Sequence, residues 1–259
     1  MTVLTATGAG VRHHRRWLLR DLDLTIDAGE TVAVTGPPGS GRTSTLLALA
    51  RKLRLSAGQV SLSGPAALAH VTGVNDPEPV FTVREHVDER LALLGRPRRG
   101  AAAVDLHGLD PLARGRDLTP YQKQVLGVIL ARLAGPSLIA LDGVDSGLDA
   151  GEQAALWALL GEVAAQGVAV LVTARAIDPA RVSRVVVLSD PRTGEPGHAE
   201  VQESPKPVEE PEPAAEEPEP VVDEPAPVDE PAPVAEPVED TPPAQETTSE
   251  EDTEEQGAK

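Results

Sequence analysis

Residues 36–44 read Gly36-Pro37-Pro38-Gly39-Ser40-Gly41-Arg42-Thr43-Ser44, directly after the apolar stretch Thr31–Thr35 and at the start of a helical pattern, Arg42–Leu53. An apolar strand, a glycine-rich loop and a helix in that order leave the main chain few choices. Glycines let it curl until consecutive N–H groups face one anion, and the following helix adds its positive N-terminal end. The spacing matches G-x-x-x-x-G-K-[ST] except that Arg42 stands where lysine belongs. Arginine keeps the charge but offers a planar fork in place of a compact ammonium. Thr43 places a hydroxyl where Mg²⁺ would sit. The alternative at this point is a glycine-rich turn that binds no nucleotide.

Strand-like segments recur at Thr31–Gly36, Gln59–Ser63, Leu68–Val74, Ser137–Asp142, Val168–Thr173 and Val185–Ser189, with helical patterns at Arg42–Leu53, Val83–Leu94, Tyr121–Leu133 and Gly151–Ala165. Alternating strands and helices predict an α/β fold with a mainly parallel sheet covered on both faces. Leu22–Ile26 alternates apolar and polar residues, which predicts an antiparallel edge strand with one exposed face. Aromatic residues make up 2% of the chain, so the core must be Leu, Val and Ala. The Ser137–Asp142 strand ends in a carboxylate at its carboxyl end, where open α/β sheets place ligands. A lone strand-terminal aspartate such as Asp142 is more often a helix cap. Paired with the glycine loop, it predicts a phosphate-and-magnesium site with Thr43 and Asp142 as metal ligands.

Charge divides the chain. Residues 200–259 hold 21 acidic and 2 basic residues and 13 of the 25 prolines, which leaves 20 acidic and 21 basic residues in 1–199. The net −18 therefore belongs to the tail. Residues 1–198 are expected to form one domain and 199–259 an extended, disordered, acidic Pro/Glu-rich tail that cannot bury enough apolar surface to order itself. The tail reads as a solubilising appendage or a docking segment for a basic partner. Its charge opposes nucleic acid, which is not an expected partner. The chain has no cysteine, so disulfide and thiol chemistry are excluded. With no 18-residue apolar run and no signal-peptide pattern, the expected location is the cytoplasm, or the inner face of the cell membrane through a partner.

The ordered set of motifs resembles the ATP-binding cassette family, the ATPase subunits of ABC transporters. Asp142-Gly143-Val144-Asp145-Ser146-Gly147-Leu148-Asp149 is similar to the family's Asp-Glu-Pro-Thr-Ser-Gly-Leu-Asp. Leu118-Thr119-Pro120-Tyr121-Gln122 lies where the family has its Leu-Ser-Gly-Gly-Gln signature, 24 positions before Asp142. Leu19–Leu24, Ala28–Glu30, Ser56–Gly64 and Phe81–Val87 also fall in family order, so the likeness covers about residues 3–195. It implies a P-loop ATPase fold with a helical subdomain at 83–134, reduced in size, bound ATP and Mg²⁺, and a head-to-tail homodimer or heterodimer. Each nucleotide would lie between the phosphate loop of one cassette and the signature of the other, and a separate integral-membrane permease would complete the transporter.

Against that family pattern four positions depart. Gly143 replaces the glutamate that would polarise the attacking water, a loss typically worth about 10²–10⁴-fold in rate. Ala174 stands in place of the switch histidine, Thr119-Pro120-Tyr121 replaces Ser-Gly-Gly, and Arg42 replaces lysine. Proline supplies no N–H, and tyrosine blocks the close backbone approach that glycine permits. Asp145, on the same loop as Gly143, is the candidate substitute base, with an ordinary turn-forming aspartate as its alternative. His13, His14 and Trp17 are candidates for stacking on adenine, though each is more often an ordinary surface or packing residue, and Asn75 is the candidate for the family's Q-loop glutamine and hence for a metal contact. Composite geometry implies that the Gly143 lesion harms one site of a dimer and the signature lesion harms the other. Two functions remain open: an ATP-binding transporter subunit with weak or lost hydrolysis, and a pseudo-ATPase that regulates or scaffolds. A phosphotransferase lacks a recognisable acceptor site.

Overall fold

The computed structural model describes residues 1–190, 192 and 195–204; the predicted tail, apart from its first residues, lies outside them. β1 (Thr2–His13) and β2 (Arg16–Asp27) form an antiparallel hairpin, and β4 (Ala57–Leu62) pairs antiparallel with β1, giving a three-stranded sheet in the order β2-β1-β4. The second sheet has six strands. β3 (Thr31–Thr35), β5 (Ala66–Leu68), β6 (Leu138–Leu141), β7 (Ala169–Thr173) and β8 (Arg184–Leu188) run parallel, and β9 (Ala199–Glu203) closes one edge antiparallel, in the order β5-β6-β7-β3-β8-β9. The α/β class, the parallel sheet and the antiparallel edge agree with the sequence reading.

Period-two alternation in the central strands separates two cores. Ala33, Ile139, Leu141, Val170 and Val172 face α3 (Pro120–Arg132) and α4 (Ala150–Ala165). Their neighbours Val32, Val34, Leu138, Ala140 and Leu171 face α1 (Arg42–Leu49) and the three-stranded sheet. Successive strand residues point to opposite faces, so a strand buried on both sides reads as a continuous apolar run. α2 (Val83–Leu93) packs on the first core through Val83, Val87 and Leu91.

Three sequence boundaries need correction. The Leu68–Val74 strand is only Ala66–Leu68, because beyond it the chain leaves the sheet and Asn75 turns it back, accepting from Val71 N–H at 2.7 Å. α1 stops at Leu49, where Ala50 caps it and Arg51 takes a positive φ of 56°. The first residues assigned to the tail, Ala199–Glu203, form β9, because the edge of β8 offers them a complete ladder from Leu188↔Ala199 to Arg184↔Glu203. β1 escaped the sequence reading altogether: its alternation is interrupted by register shifts around Gly8 and Gly10.

Candidate functional site

At the tip of β3 the chain enters the 36–44 loop, and its glycines are there for space. A Cβ on Gly36 (φ 148°) would lie 2.7 Å from Ser40 Oγ and 2.9 Å from the Leu188 carbonyl; one on Gly41 (φ 100°) would lie 2.9 Å from Leu18 Cβ. Ser40 is buried and its N–H donates to the Pro37 carbonyl at 3.1 Å, which closes the curl. Gly41 is the N-cap of α1 and provides no side-chain cap. The other three α-helices each carry a reciprocal capping box: Thr82 with Glu85, Thr119 with Gln122, and Asp149 with Glu152. The first turn of α1 thus keeps its N–H groups for an outside acceptor, with no acidic residue in that turn to repel an anion. Arg42 opens the helix, and its guanidinium takes part in no ion pair or side-chain hydrogen bond found among the described residues.

Asp142 follows β6 and meets α1 across two strands. Thr43 Oγ1 donates to Asp142 Oδ2 at 2.9 Å, and Thr173 Oγ1, at the end of β7, donates to Asp142 Oδ1 at 2.5 Å. A hydroxyl and a carboxylate oxygen side by side suit Mg²⁺, which binds through one or two protein oxygens and takes its remaining ligands from water and phosphate. Among the described residues no group of three His, Cys, Asp or Glu side chains stands together to hold a metal ion. Asn75 does not join them: its amide donates to the Ala69 carbonyl at 3.1 Å and accepts from Val71, so it serves its own turn.

The departures from the family pattern have structural counterparts. Gly143 has φ 67°, a left-handed conformation, and a Cβ there would stand 2.9 Å from Ser146 Oγ. Asp145 accepts the Arg175 N–H at 2.8 Å on Oδ2 and so ties down the segment after Ala174; its other oxygen is buried. Oδ2 thus clamps the loop, while Oδ1 has no hydrogen-bond partner among the described residues. Ala174 is fully buried and its N–H donates to the Val34 carbonyl at 3.2 Å. In the signature segment Leu118 is buried, Pro120 is the first residue of α3, Tyr121 packs on the core, and the Thr119–Gln122 pair satisfies the helix N-terminus from within. The 146–149 segment lies against it, with Gly147 packed on Pro120, Leu148 buried and Asp149 capping α4.

Near the hairpin tip, Trp17 is half-buried: it packs on Gly10 and Gly197, and the Arg12 guanidinium lies 5.7 Å from its ring centroid. His13 and His14 are exposed and meet edge to face at 4.2 Å. Two site residues escaped the sequence reading, Thr173 and Gln124. A hydroxyl closing the apolar run of β7 and an amide inside the apolar face of α3 were the available signals.

A phosphate-type loop and a strand-end carboxylate on a mostly parallel sheet give this chain the architecture of the phosphate-loop class. Residues 19–143 match the profile of the family described as ABC transporter. The chain is 31% identical over 204 residues to the ABC transporter ATP-binding protein RamB of Streptomyces coelicolor, covering 71% of this chain but only 33% of RamB. It is 30% identical over 209 residues to the lipoprotein-releasing system ATP-binding protein LolD 2 of Caulobacter vibrioides, covering 71% of this chain and 89% of that one. The fold superposes on a dimeric ATP-binding cassette in a post-hydrolysis state bound to ADP and Pi, with a TM-score of 0.66 at 17% identity over 78% of this chain and 99% of that one. The chain belongs to the ABC transporter ATP-binding family. No helix among its described residues is long and apolar enough to cross a membrane.

Proposed function

We propose that this chain is an ATP-binding cassette subunit that binds ATP–Mg²⁺ at residues 36–44 and Asp142 and works with a separate membrane permease. In this reading it turns ATP over slowly or not at all. The observation that carries the reading is the pairing of Thr43 with Asp142 directly beside α1, the one α-helix among the described residues that lacks a side-chain cap. Loop N–H groups and the α1 terminus would hold phosphate oxygens, Arg42 would add charge, and Thr43 and Asp142 would hold the metal. ATP and Mg²⁺ supply the anionic and divalent partners that this donor set is built for.

Slow turnover is supported by Gly143 and Ala174. Neither position carries a side chain able to hold the attacking water or the terminal phosphate, and Asp145 is engaged by Arg175. The capping box on α3 further supports it, because the N–H groups that a partner's nucleotide would need are met by Thr119 and Gln122. The same observations favour the second reading, a pseudo-ATPase in which nucleotide binding serves assembly or regulation. An open cleft of about 410 Å³ between the 69–81 loop, α2 and α3, with exposed Leu93 at its edge, supports docking of a permease on the helical subdomain. A homodimer or heterodimer of cassettes, a cytoplasmic location and the domain limits 1–198, 83–134 and 199–259 belong to this proposal.

Equilibrium binding of ATP with Mg²⁺ and with EDTA tests it. Micromolar to sub-millimolar binding that strengthens with Mg²⁺ is expected; absence of binding at millimolar nucleotide refutes the assignment. Detection of turnover at about 1 s⁻¹ or faster, an ordinary enzymatic rate, overturns the part that concerns hydrolysis.

A further inference from the structure

Behind Asp142 lies a chain of polar contacts that the phosphate site does not require. Gln124 is 3% exposed in the middle of α3, and its Nε2 donates to the Gly143 carbonyl at 3.0 Å. The Gly143 N–H donates to Thr173 Oγ1 at 2.8 Å. That hydroxyl has a single proton, which it directs to Asp142 Oδ1 at 2.5 Å. Thr43 reaches the other carboxylate oxygen from α1. A path of contacts therefore runs from α3 through the Gly143 backbone and Thr173 to Asp142, where the Thr43 hydroxyl of α1 arrives from the other side. The link across Gly143 is mechanical: its C=O and N–H belong to successive peptide groups joined at one Cα, so its φ and ψ fix their relative directions.

Two features separate this path from ordinary packing. Gln124 Oε1 is buried with no hydrogen-bond partner. A buried unsatisfied carbonyl is costly, and an apolar residue of similar shape would avoid it, so stability alone does not account for glutamine at this position. Gly143, in turn, uses both its N–H and its C=O in the path, and its φ of 67° sets the two directions. A residue with a side chain would hold that conformation only under strain.

We infer that Thr173 and Gln124 are positioning residues for the metal carboxylate: through the backbone of Gly143 they couple α3, the helix that follows the 118–122 segment, to the orientation of Asp142. Thr173 fixes Oδ1, which leaves Oδ2 as the oxygen facing Thr43 and the metal. A shift of α3 pulls on the Gly143 carbonyl and is felt at Oδ1. The inference rests on the ATP–Mg²⁺ reading for its ligand, not for its geometry.

The test uses the full chain and two readouts. In the first, ATP affinity is measured with Mg²⁺ and with EDTA. Thr173→Val, which keeps shape and removes the hydroxyl, is expected to erase about tenfold of the gain that Mg²⁺ brings, the scale of a hydrogen bond to a charged group. Its affinity in EDTA stays within about twofold of the parent's, and Thr173→Ser restores the gain. Equal weakening in both conditions, or no change in either, overturns the positioning role. In the second, amide exchange at Gly143 is followed by NMR without nucleotide. Gln124→Leu touches only the Gly143 carbonyl, yet it is expected to speed exchange of the Gly143 N–H about tenfold; an unchanged rate overturns the coupling. If the parent protein shows no Mg²⁺-dependent ATP binding, the nucleotide assignment fails by itself, and the exchange measurement still decides whether the coupling exists.

Discussion

Thr43 Oγ1 and Asp142 Oδ2 lie 2.9 Å apart although 99 positions separate them in sequence. Two groups suited to a hard cation are thus hydrogen-bonded to each other, and in the proposed ATP–Mg²⁺ complex the metal would replace that proton bridge. Thr43→Val removes one ligand at nearly constant volume. The expected result is about a tenfold loss of Mg²⁺–ATP affinity with little change in EDTA, the scale of a lost charge-assisted contact. Calorimetric titration in both conditions checks it.

Gly143→Glu would place an acid where the family carries its glutamate, and the expected result is no recovery of hydrolysis. A glutamate at φ 67° meets Ser146 Oγ and breaks the alignment of the peptide with Gln124 and Thr173. Gly143→Ala isolates the backbone part: about 1–2 kcal/mol of destabilisation is expected from forcing a Cβ into the left-handed region. Urea denaturation measures the second effect and a phosphate-release assay the first.

Glycine 127 gives a prediction whose sign is set by packing. In an exposed helix, alanine is favoured over glycine by about 1 kcal/mol. Here Gly127 sits inside α3 where a Cβ would drive into the Ala69 carbonyl, a backbone atom that cannot swing aside. Gly127→Ala should therefore lower the melting temperature despite its better propensity. A rise would mean that the 69–75 turn yields easily.

The α2 cap carries a pH dependence. The Thr82 backbone N–H, at 2.7 Å from Glu85 Oε2, and then the Thr82 hydroxyl at 2.9 Å hold the Glu85 carboxyl below its ordinary 4.5. A carboxyl with a lowered folded-state pKa stabilises the fold fully above its unfolded value, and the contribution is lost as pH falls through the folded value. The contribution should therefore start to fall as pH drops through the ordinary glutamate range and be gone below the folded-state value, so α2 frays progressively in acid. Glu85→Gln keeps an acceptor but removes the charge, so helix-resolved amide exchange between neutral and acidic pH should lose that sensitivity in the variant.

Much of this site was legible because its parts are local. The glycine loop, the carboxylate after Ser-Leu-Ile-Ala-Leu and the 146–149 segment each announce themselves within a few residues. Thr173 and Gln124 did not, because their roles exist only where β7 and α3 come together at Gly143, and threonine or glutamine alone carries no such meaning. Asn75 and Asp145 had the right functional groups, but a turn and a loop amide had already claimed them. β1 was missed since its interrupted alternation hides a strand that takes its pairing from both β2 and β4.

The division of each central strand between two cores constrains how this chain can change length. One residue inserted in β3 or β7 would exchange inner and outer side chains along that strand and misfit both hydrophobic compartments together. β9 pairs on one side only and keeps four of its five residues exposed. Length variation in relatives of this protein should accordingly gather at that rim and in the hairpin, while the centre admits substitution without insertion.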